Sequence, residues 1–176
     1  MVIKLNSIYK SKIIFKKKVF FCQVGTGGVV PKYLKKEGDK KTPSGRYKIN
    51  KIFIKKKNIL LNKIKTFPKI KTYYFDNNHI WCDDISSHFY NKCLKKNPNQ
   101  NLNFSFEELF RDDDVYDYFI ELNYNTKPII KGKGSAIFIH ISFENLRPTN
   151  GCITLSKKNL KFLINNLQKI NYIYIS

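Results

Sequence analysis

The residues of this chain best suited to chemistry are His140 and Cys152, with Thr149, Asn150 and Gly151 leading directly into the cysteine. A free thiol is only slightly ionised at neutral pH, and the thiolate is the nucleophile. A neighbouring imidazole can take the thiol proton and later return it to a leaving amine. Gly151 lets the backbone approach closely or take a positive φ just before the sulfur. The N–H groups of Gly151 and Cys152 can then face a developing oxyanion. Residue types alone leave a plainer reading open. A cysteine in an apolar segment is often a small core residue, and a strand histidine is often structural.

The elements around the pair have to bring it together. Residues 134–155 read GSAIFIHISFENLRPTNGCITL. The apolar, β-branched run from Ala136 to Ile141 suits a buried strand, and a second short run, Ile153 to Leu155, follows the cysteine. The histidine and the cysteine are thus each carried at a strand end, separated by one polar loop. That arrangement can fold an imidazole back onto a thiol.

Three motifs in order carry a family resemblance. The first is Glu37-Gly38-Asp39 followed by Thr42-Pro43-Ser44-Gly45-Arg46. The second is Trp81-Cys82-Asp83-Asp84 followed by Tyr90-Asn91. The third is His140 followed by Thr149-Asn150-Gly151-Cys152-Ile153. Together they resemble the L,D-transpeptidase catalytic domain of the YkuD type, over about residues 20–175. Two positions depart from the pattern: Thr154 stands where many relatives have arginine or asparagine, and Asn150 where many have a small residue or histidine.

The resemblance implies a mixed β-sandwich or barrel-like catalytic domain, with the site at one end of a sheet under loops from 76–114 and 141–151. It implies L,D-transpeptidation of peptidoglycan stem peptides through a thioester on Cys152, with His140 as base and acid. Thr149, Asn150 and Gly151 are the expected oxyanion and substrate contacts. The same dyad would serve an L,D-carboxypeptidase or endopeptidase, and a catalytically dead wall-binding module is a third reading. No metal or organic cofactor is expected, because the thiolate supplies the nucleophile. The expected partners are stem peptides, acted on by a monomer in the cell envelope or periplasm. No signal peptide is recognisable, which leaves a cytoplasmic role open.

Composition agrees with a single globular domain over residues 1–176. Hydrophobic residues make up 42% of the chain, which excludes a disordered polymer. The net charge of +20 is nearly all lysine, since Arg46, Arg111 and Arg147 are the only arginines. Nucleic-acid readers that make bidentate contacts lean on arginine, so no specific nucleic-acid partner is expected. No apolar run is long enough for a transmembrane helix.

Many short strands and few helices argue for a mainly β fold. A hairpin is expected to turn at Lys16 to Lys18, and a tight turn at Gly25 to Gly28. Glu37 to Gly45 reads as a loop and Arg46 to Ile54 as a strand. Lys55 to Lys71 reads as a strand pair broken near Pro68. Short strands are expected at Tyr73 to Phe75 and Ile80 to Cys82, around an Asp76-Asn77-Asn78 turn. His79, Cys82, His88 and Cys93 fit no structural zinc spacing. Asp83 and Asp84 are a candidate acid/base pair, or ligand-binding or solvated carboxylates, and a Cys82–Cys93 disulfide is unforced by spacing. Ser105-Phe106-Glu107-Glu108 has the form of a capping box, predicting a short helix from Ser105. A strand over 115–123 follows. Ser156 is expected to cap a final helix with Leu160, Leu163, Ile164 and Leu167 on one face, before a closing strand at Tyr172 to Ile175.

Overall fold

The computed structural model describes residues 2–5, 10–15, 17–58, 64, 70–97, 100–142, 147–167 and 172–176. The described residues are mainly strand. In chain order the strands are β1 (Val2–Leu5), β2 (Lys10–Phe15), β3 (Lys18–Gln23), β4 (Val29–Pro31), β5 (Thr42–Lys55), β6 (Lys71–Phe75) and β7 (His79–Cys82). They continue with β8 (Lys92–Lys95), β9 (Phe106–Glu108), β10 (Tyr118–Leu122), β11 (Phe138–Ile141), β12 (Ile153–Leu155) and β13 (Tyr172–Ile175). Among the described residues one α-helix, α1 (Lys157–Asn165), lies between the last two strands.

β5 is the hub. Its N-terminal half pairs with β4 and β13, and its C-terminal half with β10 and β6. The pairings β10-β11-β12-β3-β2-β1-β13-β5 return to β10, so they form a closed, barrel-like circuit. β7, flanked by β8 and β9, makes a separate three-stranded sheet.

Strand alternation splits the apolar side chains into two cores. From β5, β10 and β11, the residues Ile52, Ile54, Ile120, Leu122, Ile139 and Ile141 face one core, which α1 covers with Leu160, Leu163 and Ile164. Residues on the opposite face of the same strands, Phe53, Phe119 and Phe138, face a second, aromatic core with Trp81, Phe75 and Tyr116. Phe53 stacks on Phe119 at 4.6 Å between ring centroids, and Trp81 meets Phe138 edge-on at 4.8 Å. Burial on both faces is why β10 and β11 read as largely apolar runs, broken only by Glu121 and His140. The three-stranded sheet packs on the aromatic core and raises a wall beside β11.

Most local expectations agree with this fold. The β2–β3 hairpin, with Phe15 opposite Lys18, turns at the predicted Lys17, which has φ 63°; Lys16 lies outside the described residues. Gly28 N–H donates to Gly25 O (2.8 Å), closing the expected tight turn. Ser156 Oγ accepts from Asn159 N–H, and Leu160, Leu163, Ile164 and Leu167 are all buried. Of the strand pair expected over 55–71, residues 59–63 and 65–69 lie outside the described residues.

Two expectations are corrected, and the pairing of Cys82 with Cys93, left open by spacing, is decided. The segment after Ser105 is strand β9, not a helix: Phe106, Glu107 and Glu108 pair antiparallel with Cys82, Trp81 and Ile80. So short a helix would have a costly nucleus, and the open edge of β7 supplies ladder partners instead. Cys82 and Cys93 are separate thiols. Cys93 is in register with Trp81 and Cys82 with Lys92, so the two sulfurs leave opposite faces of the sheet. The loop over 37–45 ends early, because β5 already begins at Thr42, which lies beside Val29 of β4.

Candidate active site

β11 and β12 run parallel, with Ile139 opposite Ile153 and His140 opposite Thr154. Cys152 sits one step before β12, level with Phe138. Residues two apart on a strand share a face, so His140 points to the aromatic side with Phe138. The Tyr116 ring confirms that placement, lying edge-on to His140 at 5.1 Å and to Phe138 at 6.2 Å. Cys152 packs against the same aromatic cluster. Both side chains line one groove of about 1050 Å³.

His140 Nδ1 lies 2.8 Å from Ile141 O. A carbonyl only accepts, so Nδ1 carries the proton and the lone pair of the neutral ring is on Nε2. Burial holds the ring down to about 4, so it is neutral at pH 7. The Cys152 thiol donates to Ala136 O (2.9 Å), and its sulfur accepts from Phe138 N–H (3.4 Å). Burial, with a smaller contribution from the Glu107 charge, pushes the thiol up to about 12. The resting groove therefore holds a neutral thiol and a neutral imidazole, not an ion pair. Ionising the sulfur requires a change in its surroundings, such as a substrate that displaces the Ala136 carbonyl from it.

The loop before the sulfur is held from inside and outside. Thr149 Oγ1 donates to Cys152 O (2.6 Å) and accepts from Gly151 N–H (3.1 Å). The Gly151 N–H is thus engaged within the resting loop, and the Cys152 N–H has no acceptor among the described residues. Asn150 is exposed on the groove rim. From outside, Thr42 Oγ1 donates to Gly151 O (2.8 Å) and accepts from Gly25 N–H (2.9 Å). One buried hydroxyl therefore joins the glycine turn, the start of β5 and the cysteine loop. Gly151 has φ 137°, and a Cβ there would sit 3.0 Å from Lys41 O, so glycine suits both the conformation and the space.

The opposite wall fixes Ala136, the carbonyl partner of the sulfur. Ala136 has φ 51°, an unusual value for a residue with a Cβ. Its N–H donates to Asn91 Oδ1 (3.0 Å), which also accepts from the Trp81 indole N–H (3.1 Å). Tyr90 O–H donates to Glu37 Oε2 (2.5 Å), linking two of the sequence motifs. The Trp81 and Tyr90-Asn91 segment therefore positions backbone next to the sulfur.

Asp83 lines the groove, whereas Asp84 accepts from Ser86 N–H, Ser86 O–H and Ser105 N–H and shapes a turn. The two are not an acid/base couple. Among the described residues, no group of three or more His, Cys, Asp or Glu side chains is arranged to hold a metal. Tyr116 and Glu107, both on the groove, had no signal of their own in the sequence; Glu107 stood inside the misleading capping pattern. Tyr116 O–H donates to Glu107 Oε1 (2.6 Å).

The family model of the L,D-transpeptidase catalytic domain (YkuD) matches residues 7–175, so the chain belongs to that family. A search of curated proteins and one of solved structures returned no match.

Proposed function

We propose that the protein is an L,D-transpeptidase that cross-links peptidoglycan stem peptides through a thioester on Cys152. The observation that carries this reading is the Nδ1 contact to Ile141 O, which leaves Nε2 as the basic nitrogen on the groove that also holds the sulfur. In the first half-reaction Nε2 takes the thiol proton as sulfur attacks the carbonyl of an L-residue. The C–N bond to the terminal D-amino acid then breaks, and the ring gives its proton to the departing amine. The Cys152 N–H faces the oxyanion, and the Gly151 N–H joins it if Thr149 turns aside. In the second half-reaction an amine of another stem attacks the thioester. Stem peptides lie in the cell envelope, so this reading places the protein's work there.

Defined tetrapeptide stems, with and without an acceptor, test the proposal. The expected result is release of the terminal D-amino acid, an acyl adduct on Cys152 by intact-mass spectrometry, and a cross-linked product. A carbapenem is expected to give the same adduct, and Cys152→Ala to abolish both. Hydrolysed stem with no cross-link would make the protein a carboxypeptidase. Binding without turnover, unchanged in Cys152→Ala, would make it a wall-binding module.

A further inference from the structure

The second half-reaction has a proton that the His140–Cys152 couple does not accommodate. A primary alkylamine is an ammonium ion at neutral pH, with a pKa of about 10.4. To become an amide nitrogen it must lose two protons. His140 has one lone pair, on Nε2, because Nδ1 is committed to Ile141 O. That lone pair serves the proton that returns to sulfur. A second acceptor is needed on the same groove.

Resting on the transpeptidase reading, we propose that Glu107 is that acceptor, the base that takes the first proton from the incoming ammonium, with Tyr116 holding its carboxylate in place. Glu107 and Cys152 line the same groove. Register with Trp81 places Glu107 at the centre of β9, on a sheet and not on a loose loop. Tyr116 O–H donates to Oε1 (2.6 Å), and Oε2 takes no hydrogen bond among the described residues. The same Tyr116 ring lies edge-on to His140 at 5.1 Å, so one side chain spans the two proton acceptors. Burial raises the proton affinity of Glu107 first, and the Asp83 charge adds to it; the Tyr116 hydrogen bond and the Arg111 charge oppose. The net effect is a stronger base than an ordinary carboxylate.

The step balances. An ammonium proton passes to the Glu107 carboxylate, leaving a neutral amine. The nitrogen lone pair forms a C–N bond at the thioester carbonyl, and the C–S bond breaks to release the Cys152 thiolate. The remaining extra proton passes from nitrogen to His140 Nε2 and then to sulfur. Glu107 returns its proton to solvent. Attack by water needs only the His140 lone pair, because the acid formed sheds its last proton afterwards.

Glu107→Gln separates the two outcomes. Glutamine keeps an oxygen for Tyr116 O–H but accepts no proton. Acyl-enzyme formation, read as D-amino acid release or as carbapenem adduct rate, is expected to persist and to rise by up to about threefold, because the charge that helps hold the Cys152 thiol up is removed. Transfer to an amine acceptor is expected to fall by about a hundredfold at pH 7. The product ratio shifts to hydrolysis, and transfer recovers as pH approaches the acceptor's own pKa, where free amine is present. Tyr116→Phe, which keeps the ring against His140, is expected to show the same shift more weakly. Unchanged transfer in Glu107→Gln overturns the proposal. So does an equal fall in acylation and transfer, which would make Glu107 structural. A wild-type sulfur that takes neither donor nor carbapenem would instead overturn the transpeptidase reading itself, and this inference with it.

Discussion

At the residue scale the site is defined by what its atoms are already bonded to. The motif residues His140, Thr149, Gly151 and Cys152 stand out in the sequence because their types suit acyl transfer. Their resting state does not follow from type. It depends on two carbonyls, Ile141 O on the ring and Ala136 O on the thiol, and a backbone carbonyl has no sequence signature. The depressed histidine leads to a pH prediction. Above about 6.5 the ring is neutral both folded and unfolded, and it contributes nothing to the pH dependence of stability. Between about 6.5 and about 4 the unfolded chain takes a proton that the folded chain refuses. Stability is therefore lost as pH falls through that window, by about 2 kcal/mol from this group at pH 5. Urea unfolding at pH 7 and pH 5 measures it. His140→Asn, which keeps an N–H in the place of Nδ1, is expected to lose that share of the slope.

At the element scale, what the sequence made legible were the strands with an apolar run and the helix with a cap. β10, β11 and α1 are examples, and the β2–β3 hairpin is another. Segments whose state is decided by a distant partner were not legible. β9 carries a helix-start pattern yet is a strand, because it borrows its hydrogen bonds from β7. The start of β5 looks like a polar loop yet pairs with β4, and its Thr42 side chain is fully buried. That threonine gives the element-scale prediction. Thr42→Val keeps the shape but leaves Gly25 N–H and Gly151 O without their partner, and is expected to cost about 3 kcal/mol in urea unfolding. Thr42→Ser is expected to cost under about 1 kcal/mol, since it keeps the hydroxyl. The valine variant is also expected to slow acylation of Cys152, because the cysteine loop loses its outer tie.

At the scale of the whole molecule, charge is segregated. The chain carries +20, yet among the described residues the groove is lined by Glu37, Asp83, Glu107, Glu108, Asp112 and Asp113 with Arg111 and Arg147, and by no lysine. The lysines elsewhere are expected to attract polyanions without reading them. Binding to duplex DNA is expected to be blind to sequence and to collapse as salt is raised from 50 to 200 mM in a filter-binding assay. A sequence preference that survives high salt would contradict this. The tie between Thr42 and Gly151 also bears on any attempt to move the chemistry elsewhere. The two residues are separated by 109 positions, and the hydroxyl also reaches back to Gly25. A graft of residues 134–155 onto a foreign scaffold would transplant the His140 and Cys152 side chains and leave behind the clamp that shapes the backbone between them. The arrangement of the loop belongs to the assembled barrel, and an excised peptide would carry the letters of the motif without its geometry.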